Sequence, residues 1–304
     1  MADGKLRELE LRWKQSSLLI DHLAYMVERL KSKPSKQNKL LVNALSEHHN
    51  RRRDSALDSL ERALSLKFTK TCEEVYTTLI PESKGFYIED ASKRGIWRFH
   101  NSRFQNETCI EELTKEPVRE DYVSQEEIIP ELAICNQSLP SAPRLANIII
   151  QLYKNRKSPL RTQRERIESI RKNLGKHKWI LTGTAIIFGQ NPPDTIIYEW
   201  NEQRENTEED KAVHSSNLVG PNSWLSESEH SETVYALIKA DPEKFFKAHC
   251  WLSEKKDIFL FRTNSRPQQT EKKTVFIGKG MLGGYELEIE DAGIAYGWRK
   301  SKKA

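Results

Sequence analysis

Two strings in this chain carry the side chains that hydrolysis of a phosphate ester would need. Pro193-Asp194 and the later Glu209-Asp210-Lys211 supply carboxylates and a lysine. Paired carboxylates hold a divalent cation such as Mg²⁺, and a nearby lysine positions water or stabilises charge. Glu199, at the end of an apolar run, could replace Glu209 as the second carboxylate. A different chemistry, recognition without reaction, is offered between Arg144 and Lys178, which holds eleven Lys and Arg against two Glu. The whole chain carries a net charge of only +5, so this is a local concentration that attracts phosphate and points to a polyanionic partner.

The placing of Asp194, Glu209 and Lys211 resembles the PD-(D/E)xK pattern of metal-dependent nucleases, including those of restriction or defence type. That pattern puts its second half on a strand, whereas Asn206 to Lys211 is a polar string; Glu199, or the alternating Glu286, Glu288 and Glu290, would then take its place. Leu181-Thr182-Gly183-Thr184 resembles a helicase core motif of the Swi2/Snf2 type, but no Walker A loop or acidic Walker B strand accompanies it. Gly278-Lys279-Gly280-Met281-Leu282-Gly283-Gly284 lacks the strand–loop–helix context of a phosphate loop and reads as a hairpin turn. His249 and Cys250 are neighbours on a helix, where side chains diverge, which is poor geometry for a nucleophile and its base.

Within the basic segment, Pro143 suits the first position of a helix whose buried face is Leu145, Ile148, Ile149 and Leu152. A second helix follows Ser158-Pro159, with Leu160, Ile167, Ile170 and Leu174 inward and Gly175 closing it. Its expected outer surface carries Arg161, Arg164, Arg171 and Lys172, flanked by Arg156, Lys157 and Lys176. A smaller cationic patch is His48-His49-Asn50-Arg51-Arg52-Arg53. Guanidinium groups match phosphate geometry, so Arg51, Arg52 and Arg53 join the candidate nucleic-acid contacts. Just before the basic segment, residues 107–131 hold nine acidic side chains against two basic ones and read as a solvated acidic stretch.

These residues need elements to hold them. Residues 5–31 contain no Gly or Pro, and Leu6, Leu9, Trp13, Ser16, Ile20, Leu23, Val27 and Leu30 recur by threes and fours. That is a heptad seam with one polar position, predicting a single helix about 40 Å long. Lys33-Pro34-Ser35 breaks it, and a second helix is expected over residues 36–67, antiparallel to the first. The seam over residues 6–30 favours self-association or a partner helix. Further on, Gly85–Glu89 and Gly95–His100 predict two paired strands, and Lys178–Phe188 a long one followed by Thr195–Trp200. Helices are expected near 230–240 and, from the capping string Asp241-Pro242-Glu243, over 242–252. More strands are expected at 257–262, 273–278, 284–290 and 293–298.

The expectation is an α+β protein: a coiled-coil-like antiparallel helical hairpin, then a mixed or antiparallel sheet domain with flanking helices. By composition the parts are 1–67 for assembly, 68–137 as a linking region and 138–304 as the sheet domain, bounded by the linker-like Ser138–Pro143. The 304 residues include four Cys with no C-x-x-C pair and no apolar run of membrane-spanning length. These features point to a reducing, cytoplasmic compartment, with no membrane and no resident cofactor. Non-catalytic binding of nucleic acid, DNA or RNA, or scaffolding of a nucleoprotein complex accounts best for the charge pattern. The Mg²⁺-dependent nuclease is the first alternative and a protein-binding adaptor the second.

Overall fold

The structure, a computed structural model, describes residues 2–16, 19–66, 69–80, 85–105, 107–191, 194–198, 218–227, 231–263, 265–284 and 292–301. Helices and antiparallel or mixed sheets make the class α+β. The chain divides into two compact units, Met1–Tyr87 with Lys157–Glu165, and Ile88–Arg156 with Arg166–Ala304. These limits differ from the composition-based ones at 67/68 and 137/138. Ser138 exchanges backbone hydrogen bonds with Trp298, and Gly183 N–H donates to Pro140 O. The proline-rich stretch is therefore tied into the second unit.

The first unit is helical: α1 Ala2–Ser16, α2 Leu19–Lys31, α3 Lys36–His49, α4 Arg53–Leu66 and α5 Lys70–Leu79. The expected turn at Lys33-Pro34-Ser35 is present, and Ser35 caps α3 by accepting from Asn38 N–H at 3.0 Å. Both long helices are, however, divided. The first stops at the polar heptad position, Ser16, and α1 lies antiparallel to α2. Lys5 pairs with Glu28 at 3.5 Å, Arg12 with Asp21 at 2.8 Å, and the Trp13 ring stacks on His22 at 4.3 Å. A serine at that point competes for backbone hydrogen bonds and weakens helix continuation. The expected continuous 6–30 seam is thus folded back on itself, with Leu6, Leu9 and Trp13 half-buried and Ile20 53% exposed.

The second helix is divided at Asn50–Arg52. Arg51 adopts a left-handed φ of 61°, and α4 returns antiparallel along α3, with Gln37 Nε2 donating to Ala63 O at 2.9 Å. The shared core is built on Leu23, Met26, Leu41, Leu45, Leu60 and Val75, with the buried rings of Tyr76 and Tyr87. Leu160, which follows Pro159 in the returning segment, joins it. Thr162 N–H then donates to Glu61 Oε1 at 3.0 Å.

The second unit contains β1 Tyr87–Ala91, β2 Ile96–Phe104, β3 Glu107–Thr114, β4 Val123–Ser124, α6 Gln125–Ile134, α7 Ala142–Asn155 and most of α8 Arg161–Gly175. Then come β5 Ile180–Phe188, β6 Thr195–Ile197, β7 Ser223–Trp224, α9 Ser231–Ile238, α10 Pro242–Ser253, β8 Phe259–Phe261, β9 Glu271–Gly278, β10 Met281–Gly284, β11 Ala292–Gly293 and β12 Trp298–Ser301. A four-stranded sheet has the order β1-β2-β3-β12, a six-stranded one β6-β5-β9-β10-β8-β7, and β4 pairs with β11. The one parallel pair among the described registers is β8 with β10. Helix α7 is buried along most of its length, Arg144 included, as a helix packed from several sides must be.

The 278–284 string forms the expected hairpin between β9 and β10. Gly280 takes a φ of +74°, and a Cβ on Gly283 would stand 2.1 Å from Phe261 O, so neither position accepts a larger residue without strain. Asp241 caps α10, accepting from Lys244 N–H at 3.1 Å. Leu181–Thr184, the helicase-like string, lies inside β5 with Thr182 and Thr184 fully buried. The segment expected at 284–290 lies outside the described residues beyond Gly284. Among the described residues, no helix is long and apolar enough to cross a membrane.

Candidate functional site: a cationic cleft in the helical unit

The joint between α3 and α4 sets the geometry of a cleft in the helical unit. Asn50 N–H donates back to Ser46 O and His48 O, Arg51 N–H to His48 O and Arg52 N–H to Glu47 O. These bonds end α3 and turn the chain within a few residues. Helix periodicity would have spread three successive arginines around a cylinder. The turn instead leaves Arg51, Arg52 and Arg53 all exposed at one corner.

Beside that corner is a cleft of about 680 Å³, within the range of about 300–1,000 Å³ typical of ligand pockets. Its exposed edge includes His49, Arg51, Arg53 and the apolar Ile20, with His48 half-buried beside them; its floor is aliphatic, built from the buried Leu23, Ala56 and Ile80 and the half-buried Leu57, Leu79 and Pro159. Among the described residues, no Asp or Glu lines it. The nearby Glu47 is engaged, accepting from Ser59 Oγ at 3.0 Å, and Asp21 is held by Arg12. The cleft can therefore hold an anionic group at its edge and an apolar or π surface on its floor.

The arrangement brings together part of what the sequence separates. Lys157, Arg161 and Arg164 belong to the helical unit together with Arg51, Arg52 and Arg53. Arg164 Nη1 donates to Ser158 O at 2.7 Å and to Pro159 O at 2.9 Å, which stiffens the turn that places Pro159 in the cleft. Arg161 is 78% exposed and pairs with Glu165 at 2.7 Å, an ion pair too solvated to fix it firmly.

The rest of the basic segment belongs to the sheet unit. Arg156 lies over the Tyr153 ring at 3.6 Å and donates to Tyr153 O at 2.6 Å. Arg171, expected on an outer helix surface, is only 14% exposed and bonds Glu168 and Glu254, both at 2.7 Å. Lys172 and Lys176 are exposed. Arg144 is buried, donating to Glu111 at 3.5 Å with its guanidinium 3.8 Å from the Phe104 ring centroid. Much of the charge counted along the sequence is thus committed to the fold.

The same correction applies to the acidic stretch. Glu111 and Glu112 on β3 are buried, at 0% and 2% exposure, rather than solvated. Burial raises the Glu111 carboxyl above its ordinary value, only partly offset by the Ser102 hydroxyl bond and the Arg144 charge. For Glu112 burial pulls the same way, but bonds from Arg299 and Arg98 outweigh it and hold the carboxyl below its ordinary value. On the neighbouring strands, a bond from His100 and the charge of Arg98 lower Glu89. Alternation along β2 and β3 placed these partners opposite one another (Arg98 with Glu112 in register), a signal that a count of acidic residues cannot reveal.

The hydrolytic candidates are not assembled among the described residues. Asp194 is fully buried, with Arg266 donating to both carboxylate oxygens at 2.7 and 3.1 Å. A carboxylate clamped in this way is a structural ion pair, and a cation would have to displace the guanidinium. Glu199, Glu209, Lys211 and Glu286 to Glu290 lie outside the described residues. Among the described residues, no cluster of three or more His, Cys, Asp or Glu could hold a metal ion. The four cysteines are free thiols.

The floor residues of the cleft were not apparent as a site in the sequence. Helix α5, which contributes Leu79 and Ile80, could have been read from its cap, Thr69, and the spacing Cys72, Val75, Tyr76, Leu79. Pro159 could not, because it reaches the cleft from a segment remote in sequence. Comparison with protein-family models, curated proteins and solved structures finds no match to this chain.

Proposed function

We propose that this protein binds nucleic acid without acting on it chemically, through the cationic corner of its helical unit. The observation that carries this is the cleft edge, where His48, His49, Arg51 and Arg53 stand with no lining carboxylate among the described residues. Arg52, Lys157, Arg161 and Arg164 belong to the same unit. Arginine suits this role because its planar fork bonds two phosphate oxygens and stays charged at any working pH. Exposed arginines at a turn contribute little to folding, so their concentration there is better explained by a ligand than by stability. Lys172 and Lys176, exposed on the sheet unit, are left outside this surface. Self-association would run through the apolar residues left outward in the first two helices, Leu11 at 59% and Ile20 at 53% exposed.

Titration of a DNA and an RNA oligonucleotide at two salt concentrations tests the proposal. Affinity should fall steeply with salt, since each neutralised phosphate contributes about one to the log–log slope. Replacing Arg51 and Arg53 by Ala should lower the slope by about two. Affinity insensitive to both salt and these substitutions would exclude it.

A further inference from the structure

We infer that the cleft receives an unpaired base, so that the protein prefers single-stranded nucleic acid or a frayed end to an intact duplex. The inference rests on the nucleic-acid reading above and goes beyond it, because phosphate binding alone requires only a charged surface. Here the charge borders a concavity of about 680 Å³. Leu57, Leu79, Ile80 and the Pro159 ring give its floor a non-polar surface that makes no hydrogen bond to phosphate. Such a surface suits the face of a base, which is apolar and present in every nucleotide.

A duplex keeps its bases stacked inside and offers the rim only phosphate, leaving the floor wet. A single strand can place phosphate on Arg51 and Arg53 while turning one base onto the aliphatic floor. The two parts of the cleft are complementary to the two parts of a nucleotide. Recognition of the base edge would be loose. Of the polar groups on the walls, Thr78 Oγ1 already donates to Glu74 O at 2.8 Å, which leaves its lone pairs as an acceptor. Weak sequence preference is therefore expected, together with clear discrimination between strand states.

The test compares three DNA probes of equal length at one salt concentration: single-stranded, single-stranded with abasic sites, and duplex. The ordinary single strand should bind about tenfold tighter than either of the others, the scale that stacking of one base provides. Ala56→Leu, which adds aliphatic bulk to the floor, should remove that difference without changing the salt slope. Thr78→Met, at a half-buried wall position, is a second filling variant with the same expected outcome should Ala56→Leu unfold. Equal affinity for ordinary and abasic strands, with salt dependence retained, would overturn the inference and leave phosphate binding standing. No salt-dependent binding to any probe would overturn the nucleic-acid reading itself.

Discussion

One corner of the helical unit and the interior of the sheet unit treat the same residue type in opposite ways. In the helical unit, Arg51, Arg52 and Arg53 are exposed on a turn beside a cleft. In the sheet unit, Arg98, Arg144, Arg171 and Arg266 are engaged by carboxylates and their side chains are no more than 23% exposed. Removing a cation from the first region should affect a partner, and removing one from the second should affect the fold. Charge counted along a sequence therefore overstates the charge offered to a ligand. What matters is whether strand register or helix packing has already given each cation a counterion.

The largest effect that would sharpen this contrast is on stability. Arg144→Ala leaves Glu111 buried without its counterion and should destabilise the protein by about 3–5 kcal/mol, read as a lowered urea midpoint. Asp194→Ala should also lower the midpoint, because it strands Arg266. Cleavage lost only along with folding would not identify Asp194 as a metal ligand. Arg51→Ala should shift the midpoint by no more than about 0.5 kcal/mol. Equal losses for Arg144→Ala and Arg51→Ala would break the comparison.

A second difference concerns acid. His249 on α10 is fully buried, and burial lowers its pKa to about 4 from the ordinary 6.5, with only slight relief from a backbone contact to Gly278. Between those values the unfolded chain binds a proton that the folded chain does not. Its contribution is therefore complete above pH 6.5, and stability falls as pH drops toward 4, by about 3 kcal/mol in all. His249→Met should flatten that part of the pH–stability profile, measured by thermal melting across pH 4–7. A profile unchanged by the substitution would show that His249 is protonated without cost.

Much of the architecture could be read from local chemistry. The α+β class, the break at Lys33-Pro34-Ser35, the Asp241 cap and the Gly280 hairpin each follow from residues with strong backbone preferences. The divisions at Ser16 and Arg51 did not, because no Gly or Pro marks them and the apolar spacing continues on either side. The burial of Glu111 and Glu112 was hidden because strand alternation, not composition, sets them opposite arginine. The cleft was half legible. His48 to Arg53 stood out as a cationic run, while Leu57, Ile80 and Pro159 meet it only through tertiary packing.

The salt dependence of binding is the most direct test of the central claim that the helical unit presents its cations to a nucleic acid. The salt dependence of oligonucleotide affinity should be measured for the protein, for Arg51→Ala with Arg53→Ala, and for Lys172→Ala with Lys176→Ala. The helical-unit pair should lower the slope by about two and weaken binding about tenfold or more, while the sheet-unit pair leaves the slope nearly unchanged. A slope lowered by the lysine pair and untouched by the arginine pair would contradict the account.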